Sequence, residues 1–241
     1  MGLRPLLGAP IEGQSVGMTR TQHQTDHHLK AAITDELAWT PTVNADRIGV
    51  ALADGAVTLS GQVQTFPEKE AALRAAMRVR GVTAVADEIV VQHGAWGVRE
   101  DVDIAREAGI AFDQSVVVPS GSVKATVHDH MITLTGTVDW QYQREAARRA
   151  VAELPGVSGV RNTITLKPRI EVSPADAKKK ITAALVRNAQ LDAQHVHVEV
   201  TGSEVRLTGT VSSWAEYRQA QHAAWYAPGV THVDNRLTVS V

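Results

Sequence analysis

The feature that most constrains this chain is a repeat in three copies. In each copy a glycine closes a β-like run: Val57-Thr58-Leu59-Ser60-Gly61, Ile132-Thr133-Leu134-Thr135-Gly136 and Val205-Arg206-Leu207-Thr208-Gly209. Twenty residues beyond each glycine stands a Gly-Val pair, Gly81-Val82, Gly156-Val157 and Gly229-Val230. Then follow Val85, Val160 and Val233, next Asp87, Asn162 and Asn235, and last Ile89, Ile164 and Leu237, with no gap in the register. A chain built this way folds as an array of one small unit, so the unit has to be understood first.

Upstream of each anchor glycine, apolar residues alternate in Ile48-Val50-Leu52, Val123-Ala125-Val127 and Val196-Val198-Val200, the signature of a half-buried strand. The pairs Asp54-Gly55, Asp129-His130 and Gly202-Ser203 then mark a two-residue hairpin turn. Between the two glycines of each copy an apolar stripe recurs at helical spacing: Ala72, Ala75, Ala76, Val79; Ala147, Ala150, Val151, Leu154; Ala220, Ala223, Ala224, Ala227. Pro155-Gly156 and Pro228-Gly229 end two of these helices, because proline cannot continue the helical bonding and glycine accepts the left-handed cap. A further helix precedes each first strand, on Leu29, Ile33 and Leu37, then Ile104, Ala108 and Phe112, then Ala177, Ile181 and Leu185. Ser173-Pro174-Ala175-Asp176 marks the start of the third of these by capping serine, first-turn proline and early acid.

The unit is therefore αββαβ and the fold class α+β: three tandem modules, each with two helices packed on a small three-stranded mixed sheet. The first two strands should form an antiparallel hairpin, and the crossover through the second helix should set the last two parallel. The modules are expected at residues 25–92, 99–167 and 173–241, after a flexible arm at 1–24 within which Met18 offers a second start. At roughly 65 residues each module is marginal alone, so the copies should lean on one another. In the first linker Trp96, between Gly94 and Gly97, is the expected interdomain contact.

The segments Val57–Gly61, Ile132–Gly136 and Val205–Gly209, with their Gly-Val pairs and trailing Val-x-Asp/Asn-x-Ile/Leu, resemble the BON domain, named for bacterial osmotically inducible and nodulation proteins. The resemblance spans about nine tenths of the chain. It implies two helices on a small mixed sheet, and attachment to phospholipid surfaces or partner proteins, with no catalytic residues to carry over.

Composition narrows the chemistry further. With 24 Lys+Arg against 26 Asp+Glu there is no global positive field, so nucleic acid is not an expected partner. The absence of cysteine excludes disulfides, thiolate metal sites and cysteine nucleophiles. No stretch reaches the roughly 18 apolar residues of a membrane span, and the opening residues lack an export signal, so the expected location is the cytoplasm or the membrane periphery. The twenty-residue separation of the glycines excludes a phosphate loop, and no serine stands in a Gly-x-Ser-x-Gly elbow, so no catalytic residue is assigned.

His195, His197 and Glu199 share one face of a strand, His128 and His130 make a shorter version, and His23 and His27 have helical spacing. Alternation sends the strand histidines to solvent without the enclosure a metal needs, so neither metal nor cofactor is assigned. Aromatic residues make up only 4%, so their grouping beside cations is informative: Trp140 and Tyr142 with Arg144 and Arg148, and Trp214 and Tyr217 with Arg218. Amphipathic rings next to guanidinium groups suit a lipid headgroup layer or a protein interface. The bland reading is that Trp140 and Trp214 cover a sheet end or fill a contact between copies. The expected function is that of a non-catalytic, stress-associated protein attaching to anionic phospholipid or to an envelope protein. The alternative is a self-associating ring or filament scaffold, or an ion-responsive sensor.

Overall fold

The computed structural model describes residues 15–53, 56–92, 99–168, 173–187 and 195–240, the side chains of 15–25 excepted. The first module comprises α1 (Ser15–Trp39), β1 (Ile48–Ala53), β2 (Ala56–Val63), α2 (Phe66–Arg78) and β3 (Ala84–Val91). The second comprises α3 (Asp101–Asp113), β4 (Val123–His128), β5 (Met131–Val138), α4 (Gln141–Ala152), β6 (Gly159–Asn162) and β7 (Thr165–Leu166). The third comprises α5 (Pro174–Val186), β8 (Val196–Thr201), β9 (Glu204–Val211), α6 (Trp214–Trp225) and β10 (His232–Val239). α1 starts at Ser15, ahead of the expected Thr25 boundary; the polar stretch 19–28 carries no apolar stripe from which this extension could be read.

In every module the hairpin is antiparallel and the crossover strand is parallel, as the pattern predicts. The sheet orders are β1-β2-β3, β4-β5-β6 with β7 also on β5, and β10-β9-β8, so the middle strand is always the second. β6 and β7 are one strand interrupted at Thr163 and Ile164; the pairs Leu134↔Asn162 and Thr137↔Thr165 keep the same offset across the break.

The anchor glycine does not end its strand, as the sequence suggests. β2, β5 and β9 run on to Val63, Val138 and Val211. Gly61, Gly136 and Gly209 hold φ of +129°, +136° and +121° inside the strand, and a Cβ there would overlap the carbonyl oxygen of Arg47, Ser122 or His195. Glycine is required because the backbone entering the first strand crosses at that point.

In the first and third modules the second helix starts in the same way. The side-chain oxygen of Thr65 or Ser213 accepts from the amide of Glu68 or Glu216, while Glu68 and Glu216 reach back to the amides of Gln64 and Ser212. In the second module Gln143 accepts from the amides of Asp139 and Trp140. The reciprocal bonds satisfy donors the helix itself leaves open. Ala72, Ala75, Ala76, Ala147, Val151, Ala220 and Ala224 are fully buried on the sheets, with Ile33, Ile104 and Ile181 from the first helices beside them. Three separate cores result, one per module.

The Asp129-His130 turn adopts φ of 47° and 63°, the double left-handed geometry of a two-residue hairpin. Asp101 at the start of α3 holds it, Oδ2 accepting from Asp129 N and Oδ1 from His130 N, both at 2.9 Å. The Asp54-Gly55 turn and Trp96 lie outside the described residues.

Candidate functional site

The three modules touch one another in a closed triangle through their second helices. Phe66, packed on its own core, is also packed against the core of the second module, and Arg148 of α4 pairs with Glu70 of α2 at 2.8 Å. Trp214 of α6 donates its Nε1 hydrogen to the carbonyl of Val82 in the first module at 3.0 Å. Between the second and third modules, the Arg144 guanidinium sits 4.6 Å above the centre of the Trp225 ring. Phe66, Gln141 and Trp214 each stand five residues after their anchor glycine, and each lies toward the next module in turn. The contacts run head to tail and close after three.

This arrangement separates the seven surface residues read from the sequence. Trp214 fills a contact between copies. Tyr217 packs on its own module's core and its hydroxyl meets the carbonyl of Asn235 at 3.3 Å, while Asn235 Nδ2 donates to the carbonyl of Tyr217. Arg148 is held between Glu70 and Glu145. Trp140 stacks on Tyr142, centroids 6.5 Å apart and planes inclined by 23°, leaving Tyr142 about half exposed at 48%. Tyr142, Arg144, Arg148 and Arg218 are brought together, with α4 and α6 as the two walls of a cleft of about 500 Å³.

The cleft is further lined by Gln141, Glu145, Arg149, Gln221, His222, Trp225 and Tyr226. Among the described residues no carboxylate lies within salt-bridge reach of Arg144, Arg149 or Arg218. Burial pulls the Arg144 guanidinium below its ordinary pKa, partly offset by the charge of Glu145. Burial does the same to Arg218, reinforced by the like charges of Arg74 and Arg78. Arginine stays ionised, so both shifts express charge taken from water without full compensation, a state an incoming anion relieves. Tyr226 is 61% exposed and its ring lies 4.2 Å from that of His222. Gln141 Nε2 donates to Glu145, and among the described residues its buried Oε1 has no donor.

Sequence reasoning missed the α6 end of this site. Trp225 and Tyr226 stand just before the Pro228-Gly229 stop, and the scarcity of aromatics was the signal that could have drawn them in. His195 stands just before β8 and His197 within it, both exposed, and among the described residues no three His, Asp or Glu side chains are grouped to hold a metal. Among the described residues no helix is long and apolar enough to cross a membrane.

Three repeats of a helix, an antiparallel hairpin, a second helix and a parallel third strand define a class of small α+β domains. The chain belongs to the BON domain family, whose model matches residues 25–93, 100–168 and 173–240. It is 31% identical over 143 residues, 58% of this chain and 69% of the relative, to the osmotically-inducible protein Y of Escherichia coli (strain K12). Among solved structures it is similar to CdsD, a structural protein of the type III secretion system of Chlamydia trachomatis. The identity is 16%, over 88% of this chain and 92% of that one, with a TM-score of 0.25. The periplasmic domain of the type III secretion inner membrane protein PrgH from S. typhimurium matches at 14% identity, 80% and 95% coverage, and a TM-score of 0.21. Likenesses this slight carry no argument about arrangement or function.

Proposed function

We propose that this chain is a non-catalytic, stress-associated binding protein that attaches to anionic phospholipid surfaces by the rim of the α4–α6 cleft. The observation that supports this best is the gathering of Arg144, Arg149 and Arg218, without carboxylate partners among the described residues, in one cleft with the exposed Tyr142 and Tyr226. Tyrosine places an apolar body at the acyl boundary and a hydroxyl among headgroups, while guanidinium groups meet lipid phosphate. The family and the osmotically inducible relative support a binding role under stress.

Vesicle flotation tests the reading. The chain should float with phosphatidylglycerol vesicles and not with phosphatidylcholine vesicles, and added salt should weaken the association by screening. The combined variant Tyr142→Ala, Arg149→Gln, Tyr226→Ala should lower the bound fraction by about tenfold, the product of two lost rings and one lost charge at an exposed rim. Unchanged binding by that variant, or none by the parent chain at low salt, removes the lipid reading.

A further inference from the structure

We infer that the interior of the α4–α6 cleft is a binding site for a nucleoside phosphate. The inference goes beyond lipid attachment and rests with it on one premise, that this cleft is where the chain takes an anion.

The argument starts from the position that stands five residues after each anchor glycine. At two of the three junctions that position carries a large ring: Phe66 lodges against the second module and Trp214 reaches the first. At the junction between the second and third modules the same position is Gln141, and it is there that a cleft of about 500 Å³ lies between the helices. That volume is in the range of small-molecule sites, and the cleft stands where the other junctions place a flat aromatic ring.

What surrounds the space specifies three properties of its occupant. Arg144 and Arg218, partly buried and without a carboxylate in salt-bridge reach among the described residues, call for negative charge, and guanidinium groups match phosphate geometry. Tyr142 from the α4 wall, stacked on Trp140 on one side, and Tyr226 from the α6 wall, beside His222, are 48% and 61% exposed and so leave ring surface for a planar partner, while Trp225 already carries a guanidinium on its face. Gln141 Oε1 is a buried acceptor with no donor among the described residues, while Nε2 donates to Glu145 at 3.3 Å. An exocyclic amine or a ribose hydroxyl supplies that donor after a small movement of the amide. Inorganic phosphate meets the first requirement alone, and a phospholipid headgroup lacks the planar ring; a nucleoside phosphate meets all three. Of the remaining charges, Arg148 is neutralised by Glu70 and Glu145, while Arg149 adds a cation at the rim.

The test is calorimetric titration of the full chain with the four common nucleoside triphosphates, with tripolyphosphate, and with phosphatidylglycerol vesicles. At least one nucleotide should bind about tenfold or more tightly than tripolyphosphate, the factor expected of ring stacking. Tyr226→Ala and Tyr142→Ala, both at exposed positions, should weaken nucleotide and leave tripolyphosphate unchanged; Arg218→Gln, checked for folding by circular dichroism, should weaken both. Equal binding of nucleotides and tripolyphosphate, or no binding of any nucleotide, overturns the inference. Vesicle binding without nucleotide binding overturns it and keeps the lipid reading, whereas nucleotide binding without vesicle binding does the reverse.

Discussion

At the scale of single residues, Asp101 shows how a turn with two side chains at positive φ is held in place. Neither Asp129 nor His130 is glycine, yet both adopt the left-handed region, and both of their amides are anchored on one carboxylate at the start of the neighbouring helix. The His130 amide, with the Asp129 amide adding to it against the opposing effect of burial, holds the Asp101 pKa below its ordinary 3.8. A folded pKa below the unfolded one means a contribution fully present above the unfolded value and lost as pH falls through the folded one. Asp101→Asn keeps an acceptor oxygen but no titration. Its melting temperature should therefore lie below that of the parent chain at neutral pH, and the gap should narrow as pH falls below the ordinary 3.8 and through the folded value. A gap that stays constant across that range would show that the carboxylate's charge has no part in holding the turn.

At the scale of elements, the second helices combine two kinds of information, and only one is legible in the sequence. The inward stripe recurs at helical spacing in all three copies, so helix, sheet face and capping glycine can be read directly; Ala72, Ala147 and Ala220 are fully buried, as that spacing requires. The outward face carries the contacts between modules, and there each copy uses a different residue. Phe66, Gln141 and Trp214 share a position but no chemistry, so no periodicity reveals them. Trp140 and Trp214 look alike at the starts of their helices, yet one caps α4 and the other is the first residue of α6, one register apart. That shift accounts for their different fates. Trp214→Phe keeps most of the ring and removes the bond to Val82, so it should lower stability by about 1 kcal/mol in urea denaturation. Trp140→Phe, whose indole nitrogen has no partner among the described residues, should change the midpoint by much less. Equal effects would mean the Val82 contact contributes nothing.

At the scale of the whole molecule, the head-to-tail surfaces that tandem copies present are met inside the chain: first to second, second to third, third back to first. A heterologous contact that closes leaves no free end of its own kind, whereas one that fails to close grows into a filament. Light scattering should therefore return 25.9 kDa at all concentrations, and a piece holding residues 25–168 alone, with its two end faces uncovered, should gain mass as it is concentrated. Mass growth by the intact chain at the same rate as the piece would mean the triangle does not hold in solution. Closure within one polypeptide has a further consequence. In a ring of three separate identical chains every substitution is made three times, so whatever loosens one seam loosens all of them. Here each seam can be altered by itself: Phe66 and Trp214 can keep two shut while Gln141 leaves the third free to change without endangering the rest.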